Sequence, residues 1–132
     1  MDSEFRQLDE REKGLLEKLF EAEFPGRDEL RTQLNSLTGK QIEEDGTLSL
    51  QCGSGLPSPS KYGLAVEGWC KDADGMTIAV MVHIGKGGFM HMLEIVKHDG
   101  SPIINLPSAD NLMVLLPESG GRKPGEEVAQ AG

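Results

Sequence analysis

The sequence predicts an α+β fold in which two N-terminal helices pack on one face of a four- to six-stranded, mainly antiparallel meander sheet. Three observations predict it. Apolar residues recur at helical spacing before residue 40. From Gln41 onward the period changes to strand-like alternation. The runs after residue 60 are joined by connections so short that neighbouring strands must be antiparallel.

Leu8-Asp9-Glu10-Arg11-Glu12 reads as a helix start, because the Asp9 side chain can accept from first-turn N–H groups and Glu12 can return the bond. Leu15, Leu16, Leu19, Phe20 and Phe24 then form one apolar stripe. Gly14 costs this helix about 1 kcal/mol relative to Ala, so docking must supply its stability. Pro25-Gly26 ends it. A second helix is expected from about Asp28, with Leu30, Leu34 and Leu37 spaced i, i+4, i+7 and Gly39 as its left-handed cap.

Asp45-Gly46 marks a tight turn between a short arm near Ile42 and the alternating Leu48, Leu50 and Cys52. Residues 53–60 are Gly, Ser and Pro punctuators around Leu56 and read as an exposed loop. Three strands follow, at about Tyr62–Lys71, Met76–Ile84 and Phe89–Lys97. Either Ile103–Leu106 or Asn111–Leu116 supplies an edge strand, since Pro102 and Pro107 would disrupt a central one. Residues 1–116 are read as a single domain, and 117–132, rich in Gly, Pro and charge, as a disordered tail.

Hydrophobic residues make up 37% of the 132 and aromatics only 5%, so the core rests on Leu, Ile, Val and Met. A net charge of −9 repels phosphate backbones and anionic lipid, which excludes nucleic acid and membrane surfaces as partners. Two cysteines are too few for a disulfide scaffold, and no leader precedes the first helix, so the chain reads as cytoplasmic. The apolar run 76–84 is far shorter than the roughly 20 residues a membrane helix needs.

On Met76–Ile84 the even positions are uniformly apolar and face inward, with the odd positions on the reverse. Pairing Ile84 with Phe89 sets Val82 against His91 and Val80 against Leu93. Pairing Asp72 with Met76 around a three-residue loop places Leu64, Val66, Gly68 and Cys70 on the inward side, with Gly75 left-handed. Trp69, Ala79, Met81, Met90, Met92 and Val96 then share the reverse face, which is too apolar for ordinary solvent surface. One reading has segments 53–60 and 102–116 fold back over it. The other makes it a protein-binding or dimer surface carried by Trp69, Met81, His83, Met90 and Met92.

Candidate chemistry is thin. Asp72-Ala73-Asp74-Gly75 alternates carboxylates as a calcium loop does, but His83 stands where the twelfth-position Glu belongs, so a hairpin turn is the better reading. Gly85-Lys86-Gly87-Gly88 and Gly53-Ser54-Gly55 lack the context of a phosphate loop. His83 and His91 point to opposite faces, His91 at the edge of the core and His98 beyond both, so no zinc set converges. A Cys70–His91 pair would lie in the core, where a thiol is inert. No catalytic residue, metal or cofactor is assigned.

Two stretches carry a resemblance: Leu8-Asp9-Glu10-Arg11-Glu12 leading to Phe24-Pro25-Gly26-Arg27-Asp28-Glu29-Leu30-Arg31, and Leu93-Glu94-Ile95-Val96-Lys97-His98-Asp99-Gly100-Ser101-Pro102-Ile103. They resemble a family of small, mostly bacterial, uncharacterised domains over about residues 6–107. The resemblance implies one compact domain and no activity. The function expected is that of a small acidic interaction domain, of the immunity or inhibitor type, binding a protein partner or itself through a sheet face. The alternative is a small-ligand-binding or enzymatic domain using a cleft between helices and sheet.

Overall fold

The first helix starts where its capping residues put it. In the structure, a computed structural model that describes residues 5–59 and 63–115, helix α1 runs Glu10–Leu19 with Asp9 as its N-cap. The Asp9 carboxylate accepts from the Glu12 N–H at 2.7 Å, and Glu12 accepts from the Asp9 N–H at 2.9 Å. Glu12 also takes both arms of the Arg6 guanidinium, at 2.8 and 2.9 Å. Burial alone would raise the Glu12 pKa, but these bonds outweigh it and hold the carboxyl below its ordinary value. Arg6 belongs to a two-residue strand, β1 (Arg6–Gln7), too short for any periodicity to announce.

Helix α2 (Arg27–Gln33) follows Gly26, which is left-handed at φ 86°. The expected continuation to a cap at Gly39 is wrong. Residues 34–36 form one 3-10 turn, and Leu37–Gln41 is strand β2. The missing side chain at Gly39 serves packing instead of capping, since a Cβ there would lie 2.8 Å from Leu8 Cδ2. The first arm of the hairpin is therefore longer than the alternation after Gln41 suggested.

Strand β2 pairs with β3 (Leu48–Cys52) around the Asp45-Gly46 turn, where Gly46 has φ 97°. Strands β4 (Gly63–Lys71), β5 (Thr77–Ile84) and β6 (Met90–Lys97) pair in sequence, and β7 (Met113–Leu115) lies beside β4. Among the described residues the sheet has seven strands in the order β1-β2-β3-β6-β5-β4-β7, all antiparallel. That exceeds the four to six expected, because β1 and β7 are short edges. Strand β3 joins β6 and not β4, so the meander is confined to β4–β6. Of the two candidate edge segments, the later one forms the strand. Tyr62, Leu116 and the segment 117–132 lie outside the described residues.

The parity of the central strand holds. Ile78, Val80 and Val82 are 0% exposed and Ile84 2%. They belong to one apolar cluster with Leu15, Leu16, Leu19 and Phe20. Gly68 opens the closest approach: a Cβ there would meet Leu19 Cδ2 at 3.1 Å, Leu112 Cγ at 3.2 Å and the Met113 carbonyl oxygen at 2.9 Å. At the β4–β5 turn the Asp72 N–H donates to the Met76 carbonyl at 2.8 Å, and Gly75 takes φ 85°.

Candidate functional site

Cross-strand register builds the reverse face of the sheet as three rows. In the first, Met113 of β7, Trp69 of β4, Ala79 of β5 and Val96 of β6 stand side by side. The second runs Leu115, Glu67, Met81, Glu94. The third runs Leu64, His83, Met92, Ser49. Side chains directly opposite on antiparallel strands project to the same side, so each row is a contiguous strip. Met113 is 57% exposed, Leu64 54% and Val96 36%, while Trp69, Met81, His83 and Met92 are half-buried. Lys71 Nζ stands 5.9 Å from the Trp69 ring centroid, a cation over the indole.

Of the expected surface residues, the register brings together Trp69, Met81, His83 and Met92. Met90 does not join them. A bulge between the His83–Met92 and Ile84–Met90 pairs turns Met90 inward, where it is 1% exposed within the core cluster. The pairing of Ile84 with Met90 instead of Phe89 and the bulge each add one residue, so Val82 meets Leu93 and not His91. His91 is exposed, not a core-edge residue, and Cys70 is buried in the core cluster with its thiol pushed up by burial. A second bulge, between Leu64 and Val66, moves Leu64 from the expected inward side to the reverse face.

The segments expected to cover this face go to the helix side instead, apart from β7, whose Met113 and Leu115 extend the rows at the sheet edge without covering them. Gln33, fully buried on α2, donates to the Leu56 carbonyl at 2.8 Å and the Gly88 carbonyl at 3.1 Å, and accepts from the Met90 N–H at 2.9 Å. Arg11 of α1 donates to the Pro107 carbonyl at 2.9 Å. Leu112 belongs to the core and Ile103 packs against it.

Two acids that sequence reasoning passed over sit in the middle row. Glu94 Oε1 lies 2.8 Å from His83 Nε2. Glu67 makes no side-chain hydrogen bond among the described residues, and desolvation, only partly offset by the His83 and His98 charges, holds its carboxyl above the ordinary value. Both flank Met81. In the register expected from sequence, Glu94 would have met Ala79, and the row would not have existed.

The alternating carboxylates of residues 72–75 have a different task. Asp72 and Asp74 each accept from Lys97 Nζ at 2.8 Å, and the third Lys97 donor goes to the Pro102 carbonyl at 3.1 Å. Asp72 accepts further from the N–H groups of Ala73, Ile104 and Asn105. Burial works against the Asp72 charge, but the Lys97 and backbone donors override it and hold the carboxyl far below the ordinary range. The ammonium of Lys97 thus fills the position in which a calcium reading would place its ion. Among the described residues no three His, Cys, Asp or Glu side chains converge as a metal set. No described helix is long and apolar enough to cross a membrane.

No curated protein and no solved structure matches the chain. A family model described as Domain of unknown function (DUF6984) matches residues 5–107. That span takes in both helices, β1 to β6 and the Lys97 clasp, and of the described elements leaves β7 and the 3-10 turn before it outside. The chain belongs to this family of domains of unknown function.

Proposed function

We propose that this protein is a small acidic interaction domain that binds a protein partner through the reverse face of its sheet. The observation that carries the reading is the first row, Met113-Trp69-Ala79-Val96, a four-strand apolar strip on the side of the sheet away from the core cluster. Apolar strips of this kind mark protein-binding surfaces, and Trp and Met are favoured there because one offers a large rigid contact and the other adapts. A net charge of −9 favours encounter with a basic partner and disfavours a second copy of the chain. The immunity or inhibitor type of protein is one version of this reading.

Trp69→Ser combined with Met81→Ser tests it. Affinity capture from the native source should recover a partner with the wild-type chain and lose it with this variant while the amide spectrum stays dispersed. Undiminished capture by the folded variant would reject the face. Light scattering at several concentrations should show one chain per particle, and a concentration-dependent rise to two would make the partner a second copy.

A further inference from the structure

We propose that the outer edge of β7, with the groove between it and the end of α1, takes an extended segment of a partner protein as an added strand, apolar at its centre and basic at its ends. The inference concerns the edge of the sheet and does not rest on the reverse-face reading above. Main-chain direction points to it. The Asp72 N–H donates to the Met76 carbonyl, so the even residues of β4 turn their backbone groups toward β5. Glu67 and Trp69 therefore turn theirs toward β7 and bond Leu115 and Met113. The N–H and C=O of Val114 are left pointing outward, and no described strand lies beyond them. Open edges are commonly blunted by charge, proline or a bulge. At the far end of the sheet β1 carries Arg6, clamped on Glu12. Leu112-Met113-Val114-Leu115 has no charge, no proline and no break in its register.

The groove selects what the added strand must carry. It measures about 340 Å³ and runs between Lys18, Glu21 and Ala22 on one side and Leu112, Met113 and Val114 on the other. Ala22 is 4% and Leu112 3% exposed, and Val114 packs against the core cluster, so the floor is apolar. A residue paired with Val114 projects its side chain to the same side of the sheet, over that floor. Its two neighbours fall on the reverse face beside Leu115 and Met113, the latter 57% exposed. Charge complementarity sets the ends of the segment. Lys18 is already paired with Glu21 at 3.6 Å, the Glu21 side chain remains largely exposed, and the chain carries a net charge of −9. Basic flanks are drawn to such a rim and acidic flanks repelled.

The test is a titration of the full chain with the blocked peptide Lys-Val-Leu-Val-Lys, followed by amide chemical shifts and hydrogen exchange. One control peptide is N-methylated at the leucine, which keeps every side chain and loses the central donor. The other is Glu-Val-Leu-Val-Glu. Shifts should concentrate at Met113–Leu115, Lys18 and Ala22, the Val114 amide should become protected, and each control should bind about tenfold more weakly. Val114→Pro removes the outward N–H at a position where an edge strand tolerates proline, and should weaken the parent peptide to the level of the N-methylated one. Equal binding of either control, or shifts centred away from β7, overturns the added strand whether or not that variant folds. Protection of the Val114 amide before peptide is added also overturns it. Protection that rises with chain concentration would make a second copy the occupant, and protection at every concentration would make it residues 116–132 of the same chain.

Discussion

Lys97 is the residue whose chemistry reaches furthest through the molecule. Its side chain is 2% exposed and that of Asp72 0%, so the pair is desolvated, yet all three ammonium donors and four donors to Asp72 are accounted for. Removing one member strands the other charges, which is why Lys97→Met should lower the thermal midpoint by on the order of 10 °C, measured by circular dichroism. The same clasp sets an acid limit. Asp72 and Asp74 are depressed below the unfolded carboxylate value, so their stabilisation is complete above about pH 4 and is lost as pH falls toward their folded values. The urea midpoint should therefore decline below about pH 4 in the wild type and more shallowly in Asp72→Asn. Glu67 has the opposite sign. Its raised pKa means its charged form is disfavoured in the fold, so Glu67→Gln should hold or slightly raise the urea midpoint at pH 7, with the difference vanishing as pH falls through the carboxylate range. A fall in stability at pH 7 would show that Glu67 is a structural partner and not a free one.

Among the elements, short edges decide what is hidden and what is open. Among the described residues strand β7 holds β4 through three residue pairs, and Gly68 admits it by lacking a side chain. Gly68→Ala would drive a methyl group into the Met113 carbonyl, a backbone atom that cannot swing away. We expect a loss of about 1–3 kcal/mol by urea denaturation, with amide exchange at Met113–Leu115 accelerated before that of β5. The α1 start, the Asp45-Gly46 hairpin, the Asp72–Met76 turn and the inward parity of β5 were legible in the sequence, because each depends on local capping, turn geometry or alternation. The failures were non-local. Gly39 resembles a helix cap until Leu8 packs against it, and β1 and β7 are too short to show a period. Neither bulge leaves a mark in the sequence, yet the one at His91 moved Met90 into the core and set Glu94 beside Met81. Trp69, Met81, His83 and Met92 were found from parity alone, while the placing of Glu94 beside Met81 required the observed register of β5 and β6.

Seen whole, the molecule has one side of its sheet committed to the core and the other side carrying apolar rows interrupted by two acids. The helices, the loop after β3 and the segment after β6 are tied to the committed side by Gln33, Arg11, Leu112 and the Lys97 clasp. On the proposed reading stability and recognition fall on opposite faces, and substitutions that abolish binding should leave folding intact. Photo-crosslinking in the native source measures this separation directly, with a benzophenone side chain placed at Leu64 or Met113 on the open face, or at Glu17 on α1. A discrete protein adduct is expected from Leu64 and Met113 and none from Glu17. Adducts from Glu17 alone, or equally from all three positions, would contradict that separation.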